Sequence, residues 1–383
     1  MPFTGKATYS AGADLPEHVD DVADLVAIAA ANETPLLDLL GDPLRPARGV
    51  VHEWMEDTPL ANTVTVGSFT DGEWVGVNEI DVVRQYDLIR IIDSPEVMRV
   101  ESVATPADFN VSRQYGNTPL GPDPAAGLTM QVLSNPTLEG ADAAASRFTN
   151  RTRQSNTTQI FASTVEVSGS ELAVAQAGVE DELEYQKAMR LRELLRDLEL
   201  SIVGGAADAS PPAGNPAGNA IRPRSMRGIV ASVASHRFTP GTDGFPADTT
   251  LTEEQLNHAL RTIWQGGGTT VDTIVVGGKQ KRAINQFGLP QRRFASSAET
   301  YRDAIGIYES DFGVCRVVLS RAMPGGSVLL LDSSRASVLP LAGRSFGYKP
   351  LARTGDREAG QIIGEYTLEL RNEHCHGLIT GLS

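Results

Sequence analysis

The sequence predicts an α+β fold, and three observations support that prediction. A proline-free stretch at residues 171–203 carries apolar residues at close to the helical period. Residues 62–137 contain short strand-like runs separated by clusters of Gly, Pro, Asn and Asp. Helical and buried-strand patterns then alternate from about residue 250 onward. With 383 residues, 41% of them hydrophobic, the chain can form two or three domains that each have a core.

The first 137 residues divide into an arm, two short helices and a β-rich region. Residues 1–20 show little periodicity and are predicted to be a mobile arm. Short helices are predicted at 20–31 and 35–40, the second ended by Gly41 and Pro43, and residues 50–60 are predicted to be extended. The strand-like runs of the β-rich region have the spacing of a small barrel or sandwich, and they lie at 63–69, 87–92, 97–103, 109–114 and 128–133.

The middle of the chain is predicted to be a loop, a strand and a long helix. Residues 138–157 are polar and predicted to be a loop, whereas residues 157–170 have strand character. A helix over 171–203 would be about 50 Å long at 1.5 Å per residue. Two i,i+3 charge pairs, Glu184 with Lys187 and Glu193 with Arg196, would support it. Gly178 would interrupt its first turns, and Gly204-Gly205 would end it before a low-complexity loop at 204–220.

The C-terminal part mixes helices and strands. A helix is predicted over 250–268, where Thr252 and Gln255 fit a capping box and Gly266 stops the helix. A buried strand at 271–278 and a short helix at 279–287 follow. The remaining strand runs lie at 305–310, 313–320, 326–332 and, as one long final run, 362–380.

Charge and composition exclude several classes of protein. The net charge is −15, and residues 1–150 carry all of that excess with 23 acidic and 8 basic side chains, while the remainder carries 25 of each. Binding to a phosphate backbone is therefore not the expected function. No apolar stretch is long enough for a membrane span, and the N-terminal residues lack the apolar core of a signal peptide. Two cysteines cannot form a disulfide framework, which fits a reducing cytosol.

Two short motifs suggest nucleotide chemistry and are better explained otherwise. Gly277-Gly278-Lys279 lacks the spacing of a phosphate loop, and Gln280 stands where that loop has its Mg²⁺-binding hydroxyl. We interpret it as an ordinary strand-to-helix turn. The tripeptide 311–313 (Asp-Phe-Gly) matches a kinase motif, but no other kinase motif accompanies it, so we interpret it as a β-turn.

The remaining candidates for chemistry are also expected to be structural. In His374-Cys375-His376 a strand would point the two histidines to one face and Cys375 to the other, and no second Cys/His pair has metal-ligand spacing. Cys315 lies in an apolar run and is expected to be a buried, inert thiol. The acidic cluster at 180–184 is interpreted as the first turn of a helix. The sequence therefore predicts no catalytic, cofactor-binding or metal-binding residue and no enzymatic activity.

In their order along the chain, several segments resemble the major capsid protein of tailed bacteriophages, with the Hong Kong 97-type (Johnson) fold, and more narrowly the capsid family typified by phage SU-ten. The similarity covers nearly the whole chain apart from residues 62–137. The matching segments are 31–60 (an arm running into a strand), 150–205 (a returning strand and a spine helix), 224–288 (an axial-domain entry, helix and strand) and 356–382 (a long peripheral strand).

The resemblance implies a domain organisation. Residues 1–49 would form an N-terminal arm, and residues 50–168 an extended β loop that carries a small β-rich inserted domain at about 62–137. Residues 169–235 and 341–383 would form a split peripheral domain with the long spine helix at about 171–203. Residues 236–340 would form the axial domain.

The resemblance also implies a function. The chain would assemble into homo-pentamers and homo-hexamers of an icosahedral phage head that encloses double-stranded DNA, contacted only weakly and non-specifically. Scaffold, portal and decoration proteins are the implied partners, with no membrane, no cofactor and no metal. The protein would assemble in the host cytoplasm and end in the virion.

One departure from the type member changes an expectation. That member joins neighbouring subunits by Lys–Asn isopeptide bonds with the lysine on its extended loop, but no lysine lies between Lys6 and Lys187 here. We therefore expect no such cross-link. Two alternatives stay open: an encapsulin-like cellular nanocompartment shell of the same fold, and an αβ enzyme, which would need a pocket with perturbed acids or bases.

Overall fold

The computed structural model forms two compact units. We call Met1–Trp54 with Arg153–Ser383 the body and Met55–Thr152 the inserted unit. The structure describes residues 34–41, 45–57, 62–79, 82–140, 142, 149, 151–173, 181–206, 218–219, 221–267, 270–287, 306–352 and 355–383. The predicted arm at 1–20, the predicted helix at 20–31, Gly178 and most of the loop at 204–220 lie outside these residues.

The inserted unit contains a closed barrel of six antiparallel strands. The strands are β2 (Thr63–Thr70), β3 (Trp74–Val77), β4 (Leu88–Ile91), β5 (Met98–Thr105), β6 (Asp108–Ser112) and β7 (Thr129–Ser134), in the order β2-β3-β6-β5-β4-β7 around the barrel. Alternate side chains of each strand fill its interior, among them Val64, Ile89, Phe109 and Met130.

The five strand runs predicted in this region are confirmed. Of the two predicted architectures, a small barrel and a sandwich, the barrel is the one observed, because the strands form a closed ring. The strand β3 was not predicted. Asp71 and Gly72, with φ of 55° and 76°, form the turn between β2 and β3. An Asp-Gly pair between strand runs is a hairpin signal, but β3 has only four residues and includes Gly76, which weakens its strand pattern.

The body contains two sheets and a two-stranded ribbon. The ribbon pairs β1 (Val51–Glu56) with β8 (Thr152–Thr157). In the first sheet the order is β10-β18-β14-β11-β13-β12, and its strands are β10 (Arg237–Phe238), β11 (Thr273–Val276), β12 (Ile307–Ser310), β13 (Gly313–Leu319), β14 (Val328–Leu331) and β18 (Gly377–Ile379). In the second, β17 (Arg357–Leu370) pairs with β9 (Gln159–Ser168), β15 (Ala336–Pro340) and β16 (Gly347–Pro350).

Six helices are described in the body: α1 (Pro35–Leu40), α2 (Gly169–Ala173), α3 (Glu182–Gly204), α4 (Ile229–Ser232), α5 (Glu253–Gly267) and α6 (Gly278–Phe287). None of the helices in the described part of the chain is long and apolar enough to cross a membrane. The capping box predicted for α5 is confirmed, because Thr252 N–H donates to Gln255 Oε1 (3.2 Å) and Gln255 N–H donates to Thr252 Oγ1 (3.3 Å). That helix runs one residue past the predicted stop at Gly266.

The long helix predicted over 171–203 is shorter than expected. Asp181 has extended backbone angles, and its carboxylate accepts a hydrogen bond from the Glu184 N–H, so α3 begins at Glu182. Its 23 residues span about 35 Å at 1.5 Å per residue. The Glu184–Lys187 pair is confirmed at 2.6 Å, but Glu193 pairs with Arg190 rather than with Arg196.

Two further expectations are corrected. The predicted loop at 138–157 contains β8, whose polar residues form a ribbon strand without apolar alternation. The predicted single strand at 362–380 is broken after Leu370, because Asn372 adopts a φ of 50° and Glu373–Cys375 form a 3₁₀ turn before β18. His374-Cys375-His376 therefore does not lie on a strand.

Apolar side chains cover both faces of the six-stranded sheet. On one face, Val275 and Leu329 pack in a cluster that includes Leu198 and Ile202 of α3. On the other face, Ile274 and Leu330 pack in a cluster that includes Leu256 and Ile263 of α5. The central strands β11 and β14 thus form the middle layer of this part of the body, and both their faces are removed from water.

Two glycines allow the chain to cross closely at the C-terminal end of α3. Gly228 N–H donates to Gly205 O (2.8 Å), and a Cβ atom on Gly228 would lie 2.6 Å from the Gly205 nitrogen and 2.8 Å from Ser201 O. The neighbouring atoms are backbone and cannot rotate away. By contrast, a Cβ atom on Gly204 would meet nothing within 4 Å.

We expect Gly228→Ala to destabilise the body by about 2–3 kcal/mol, the usual range for overpacking against backbone. Urea unfolding of the purified chain measures this. The matched control is Gly204→Ala, which should leave the free energy of unfolding unchanged or raise it by up to about 1 kcal/mol, because alanine favours a helix more than glycine does. Equal stability of the two variants would contradict the proposed close crossing.

Candidate assembly surfaces and the buried network behind them

The long strand β17 has two faces of different chemistry. Ile362, Leu368 and Leu370 point into the apolar cluster that includes α3. Glu365, Thr367 and Glu369 point to the other face and are also buried, at 2%, 0% and 3% exposure. Two carboxylates are therefore held away from water, which is tolerated only when charged or hydrogen-bonding partners reach them.

Glu365 receives three partners from separate parts of the chain. Thr158 Oγ1 donates to its Oε1 (2.6 Å), Arg224 also donates to Oε1, and Arg344 Nε lies 2.8 Å from Oε2. Burial raises the pKa of this carboxyl, but the bonds from Thr158 and Arg224 and the charge of Arg344 outweigh burial, so its pKa lies below the ordinary value. The charged form is therefore the one that the fold stabilises.

Glu369 has a similar arrangement two residues further along β17. His52 Nε2 on β1 lies 2.6 Å from Glu369 Oε2, and Arg371 donates to Oε1. Burial raises the pKa of Glu369, but these two partners lower it below its ordinary value. The bond from His52 attaches the body end of β1 to the sheet.

Asn156 attaches the body end of β8 in the same region. Its Nδ2 donates to Leu368 O (2.8 Å) and to Arg227 O (2.9 Å). Its Oδ1 accepts the N–H groups of Arg227 and Thr157, both at 2.9 Å. The side-chain amide thus satisfies backbone groups of β17 and of the segment that enters α4, so both strands of the ribbon are fixed to β17 by buried polar bonds.

The free end of the six-stranded sheet exposes an apolar face, which we call the edge patch: Ile307, Glu309, Val314 and Arg316. Ile307 pairs with Arg316 and Glu309 with Val314, so the four side chains share one face of the β12–β13 hairpin. Ile307 is 66% and Val314 59% exposed. Within the described part of the chain, β12 pairs only with β13. The patch is apolar at its centre and electrically neutral overall.

A second exposed apolar group lies at the turn of the same hairpin. Trp264 on α5 is 51% exposed, and its ring lies 6.0 Å from that of Phe312. Exposed apolar side chains therefore lie on the face of the β12–β13 hairpin and beside its turn.

The inserted unit has its own buried ion pair. Arg113 donates to both oxygens of Glu96 (3.0 and 2.7 Å), and Glu96 also accepts the N–H groups of Gln114 (3.1 Å) and Gly121 (2.9 Å). Burial raises the pKa of Glu96, but these bonds outweigh it and lower the pKa. The pair fixes residues 113–121, where Leu120 is 60% exposed.

The structure places the motifs that the sequence singled out in separate positions. Gly277-Gly278-Lys279 lies where β11 passes into α6, and Asp311-Phe312 form the turn between β12 and β13, so both interpretations as turns are confirmed. The described members of the acidic cluster, residues 181–184, cap and begin α3 as expected.

Cys315 is buried, and burial raises the pKa of its thiol to about 11. Among the described residues, no three His, Cys, Asp or Glu side chains are grouped to hold a metal ion.

Sequence reasoning missed the buried carboxylates of β17 altogether. The run from 362 to 370 does alternate apolar and polar residues, and that signal correctly indicates two faces. It does not indicate that the polar face is buried, because the partners of Glu365 lie at positions 158, 224 and 344.

Comparisons with known proteins point in one direction. A family model described as SU10 major capsid protein matches residues 3–383. Among solved structures, the capsid of a native GTA particle is 9% identical with a TM-score of 0.55, and the match covers 100% of both chains. The capsid of Myoviridae phage XM1 is 9% identical, with a TM-score of 0.53 over 97% of this chain and 100% of that one. A structure of Gordonia phage Cozz is 10% identical, with a TM-score of 0.53 over 100% and 97%. No curated protein matches the chain in sequence.

We expect Glu365→Ala to destabilise the protein by about 3–5 kcal/mol, because it leaves the charges of Arg224 and Arg344 without their buried counter-charge. The matched control is Glu166→Ala on the neighbouring strand β9, which removes an exposed pair with Arg357 and should cost less than about 1 kcal/mol. Urea unfolding of both variants measures the difference. A loss at Glu365 as small as at Glu166 would show that the buried network contributes little.

Proposed function

The chain belongs to the SU10 major capsid protein family and has the Hong Kong 97-type fold, and from this premise we propose that its copies form pentamers and hexamers that close an icosahedral head shell around double-stranded DNA. The observation that carries the proposal is the family match, because it runs over residues 3–383 and so includes both the body and the inserted unit. A major capsid protein associates with itself into a shell and belongs to the virion.

We assign the parts of the chain to the domains of such a capsid protein. Residues 1–49 are the arm, and residues 50–168 are the extended loop, with the barrel of about 62–137 as its insertion. The peripheral domain comprises 169–235 and 341–383 and contains α3 as its spine helix. The axial domain comprises 236–340. The polar bonds of Glu365, Glu369 and Asn156 support this assignment, since they fix both strands of the extended loop to the peripheral sheet.

The proposed partners follow from the same role. Copies of the chain itself are the main partner, and scaffold, portal and decoration proteins complete the head. Contact with packaged DNA is weak and non-specific, because residues 151–383 carry equal numbers of acidic and basic side chains and offer no net attraction to phosphate. Assembly takes place in the host cytoplasm, no membrane takes part, and the shell performs no catalysis.

Within a pentamer or hexamer, we assign the edge patch to a contact between adjacent copies. Ile307 and Val314 are the most exposed apolar side chains of the six-stranded sheet, and burying them would remove apolar surface from water. The flanking charges of Glu309 and Arg316 cancel, so the matching surface on the next copy must also be neutral. Weak contacts of this size suffice, because a closed shell repeats them many times.

Electron microscopy of the purified full-length chain tests the function. Negative staining should show shells, rings or sheets, and a small monodisperse particle without them would contradict it. Neighbouring terminase or portal genes would favour a phage head over the encapsulin-like alternative.

Two substitutions in the edge patch test the proposed contact. Ile307→Asp together with Val314→Asp should prevent these assemblies and leave the thermal unfolding midpoint of the chain unchanged. The control is Leu351→Asp, an equally polar change at a side chain that is 45% exposed outside the patch. Assemblies that survive the double substitution would exclude the patch as a contact.

Salt should weaken the assembly. Residues 1–150 carry the entire excess of negative charge, and we pair part of it with arginines of adjacent copies, such as the exposed Arg192 on α3. The fraction of chain in pentamers and hexamers, followed by analytical ultracentrifugation, should therefore fall as ionic strength rises from 0.05 to 1 M, since exposed pairs are screened over about 3 Å at 1 M. A fraction that does not change with salt would contradict this pairing.

A further inference from the structure

The short helix α1 is capped by a carboxylate that lies far away in sequence. Its own N-cap residue, Thr34, makes no side-chain hydrogen bond to the helix. Instead, Glu199 of α3 accepts the N–H of Leu36 at Oε1 (3.2 Å) and the N–H of Leu37 at Oε2 (2.8 Å). These are two of the donors that a helix leaves without an internal partner, and a negative charge at this end is favoured by the helix dipole.

Glu199 is itself deeply buried, at 1% exposure. Within the described residues, the one element besides α1 that bonds to it is the segment after β13, from which Ser320 Oγ donates to Oε1 (3.1 Å). No Lys, Arg or His forms an ion pair with Glu199 within the described part of the chain. The charged group of α1 that faces it is Asp38, whose like charge opposes ionisation. The bonds that hold α1 therefore depend on a carboxylate without a counter-charge.

The other attachments of α1 are apolar. Leu36 and Leu40 are buried, and Leu37 and Leu39 pack, partly buried, against the same apolar cluster. A cavity of about 320 Å³ lies beside the helix, bounded by Leu37 and Gly41 on one side and by Leu195 and Leu198 of α3 on the other. Its C-terminal side ends at Gly41, and in the next described segment Ala47 bridges to Leu341. A helix of six residues is not stable by itself, so α1 depends on this apolar packing and on the bonds to Glu199.

We propose that α1 is a strap that detaches from the body as a unit while the sheets stay folded, and that Glu199 is the clamp that controls its detachment. The strap is residues 34–41, and the clamp is the pair of hydrogen bonds from Leu36 and Leu37. The proposal rests on the geometry of the body alone and is independent of the proposed shell.

The charge of Glu199 fixes the direction in which protons act on the clamp. Burial raises the pKa of Glu199 above its ordinary value, and the bonds from Leu37, Leu36 and Ser320 offset burial only in part. Detachment would expose the carboxyl and return its pKa to the ordinary range. The closed strap thus binds a proton more tightly than the open one, so closure is favoured at low pH and weakens as pH rises through this interval.

Hydrogen exchange of the purified full-length chain, followed by mass spectrometry, tests the strap. After correction for intrinsic exchange rates, the protection of residues 36–41 should fall with rising pH between the ordinary and the raised pKa, by up to about tenfold per pH unit. Protection of β17 should not change over the same range. Protection of α1 that is independent of pH, or that changes only together with β17, would overturn the proposal.

Two variants and a control separate the clamp from general stability. Glu199→Gln keeps an acceptor without a charge and should abolish the pH dependence while α1 stays protected. Glu199→Ala leaves both N–H groups without their acceptor and should reduce protection of α1 at least tenfold at every pH. Glu193→Gln, an exposed carboxylate on the same helix, should behave as the unmodified chain does. Should Glu199→Ala fail to fold, the pH profiles of the unmodified chain and of Glu199→Gln decide the matter, and identical profiles would refute the clamp.

Discussion

The buried charge of Glu365 is the constraint on which the arrangement of the body depends. A carboxylate at 2% exposure is costly unless several partners reach it together. Those partners come from Thr158 beside β8, Arg224 before α4 and Arg344 after β15. Each alone would leave the site incompletely compensated, so the three segments must close onto β17 in one arrangement. Apolar packing tolerates many arrangements of similar density, whereas Glu365 is fully compensated when all three segments reach it together. We infer that this requirement helps to specify where β1 and β8 leave the body.

The same polar face continues from β17 to the six-stranded sheet. Arg371, which bonds to Glu369, offers its carbonyl oxygen to His376 Nε2 (3.3 Å), and Asp332 N–H donates to His376 Nδ1 (3.2 Å). One ring nitrogen must therefore donate and the other accept, which only the neutral ring can do. Burial enforces this state, since it lowers the pKa of His376 to about 4. The two sheets of the body are thus joined by directional bonds on one side of β17 and by the apolar cluster with α3 on the other.

The features that could be predicted from the sequence are those that depend on residues close together along the chain. The capping box at Thr252, the turn at 277–279 and five of the six barrel strands need only neighbouring residues, and all were predicted correctly. The N-cap of α3, Asp181, also depends only on nearby residues. It was not predicted, because apolar residues recur at the helical spacing on both sides of it in the sequence. Glu199 and Glu365 could not be found, because a glutamate on a helix or strand ordinarily faces solvent. Apart from Arg344, the partners named for them lie 121 to 207 residues away. The break at Asn372 was missed because the apolar pattern resumes immediately afterwards, at Gly377–Ile379.

The body is held together by buried ion pairs, whereas its outer surface offers weaker contacts. This combination fits a chain that assembles in many copies. Within the body, charges such as Glu365 are desolvated and fully partnered, so the fold resists rearrangement when neighbours press on it. Outward, the edge patch offers two apolar side chains and a cancelling charge pair. In the proposed shell this contact would be weak enough to be reversed while the shell closes. The excess of negative charge in residues 1–150 adds a restriction, because like charges repel when copies meet. Two inserted units placed face to face would repel each other, so in the proposed shell each acidic insertion must approach the neutral or basic surface of a neighbour instead.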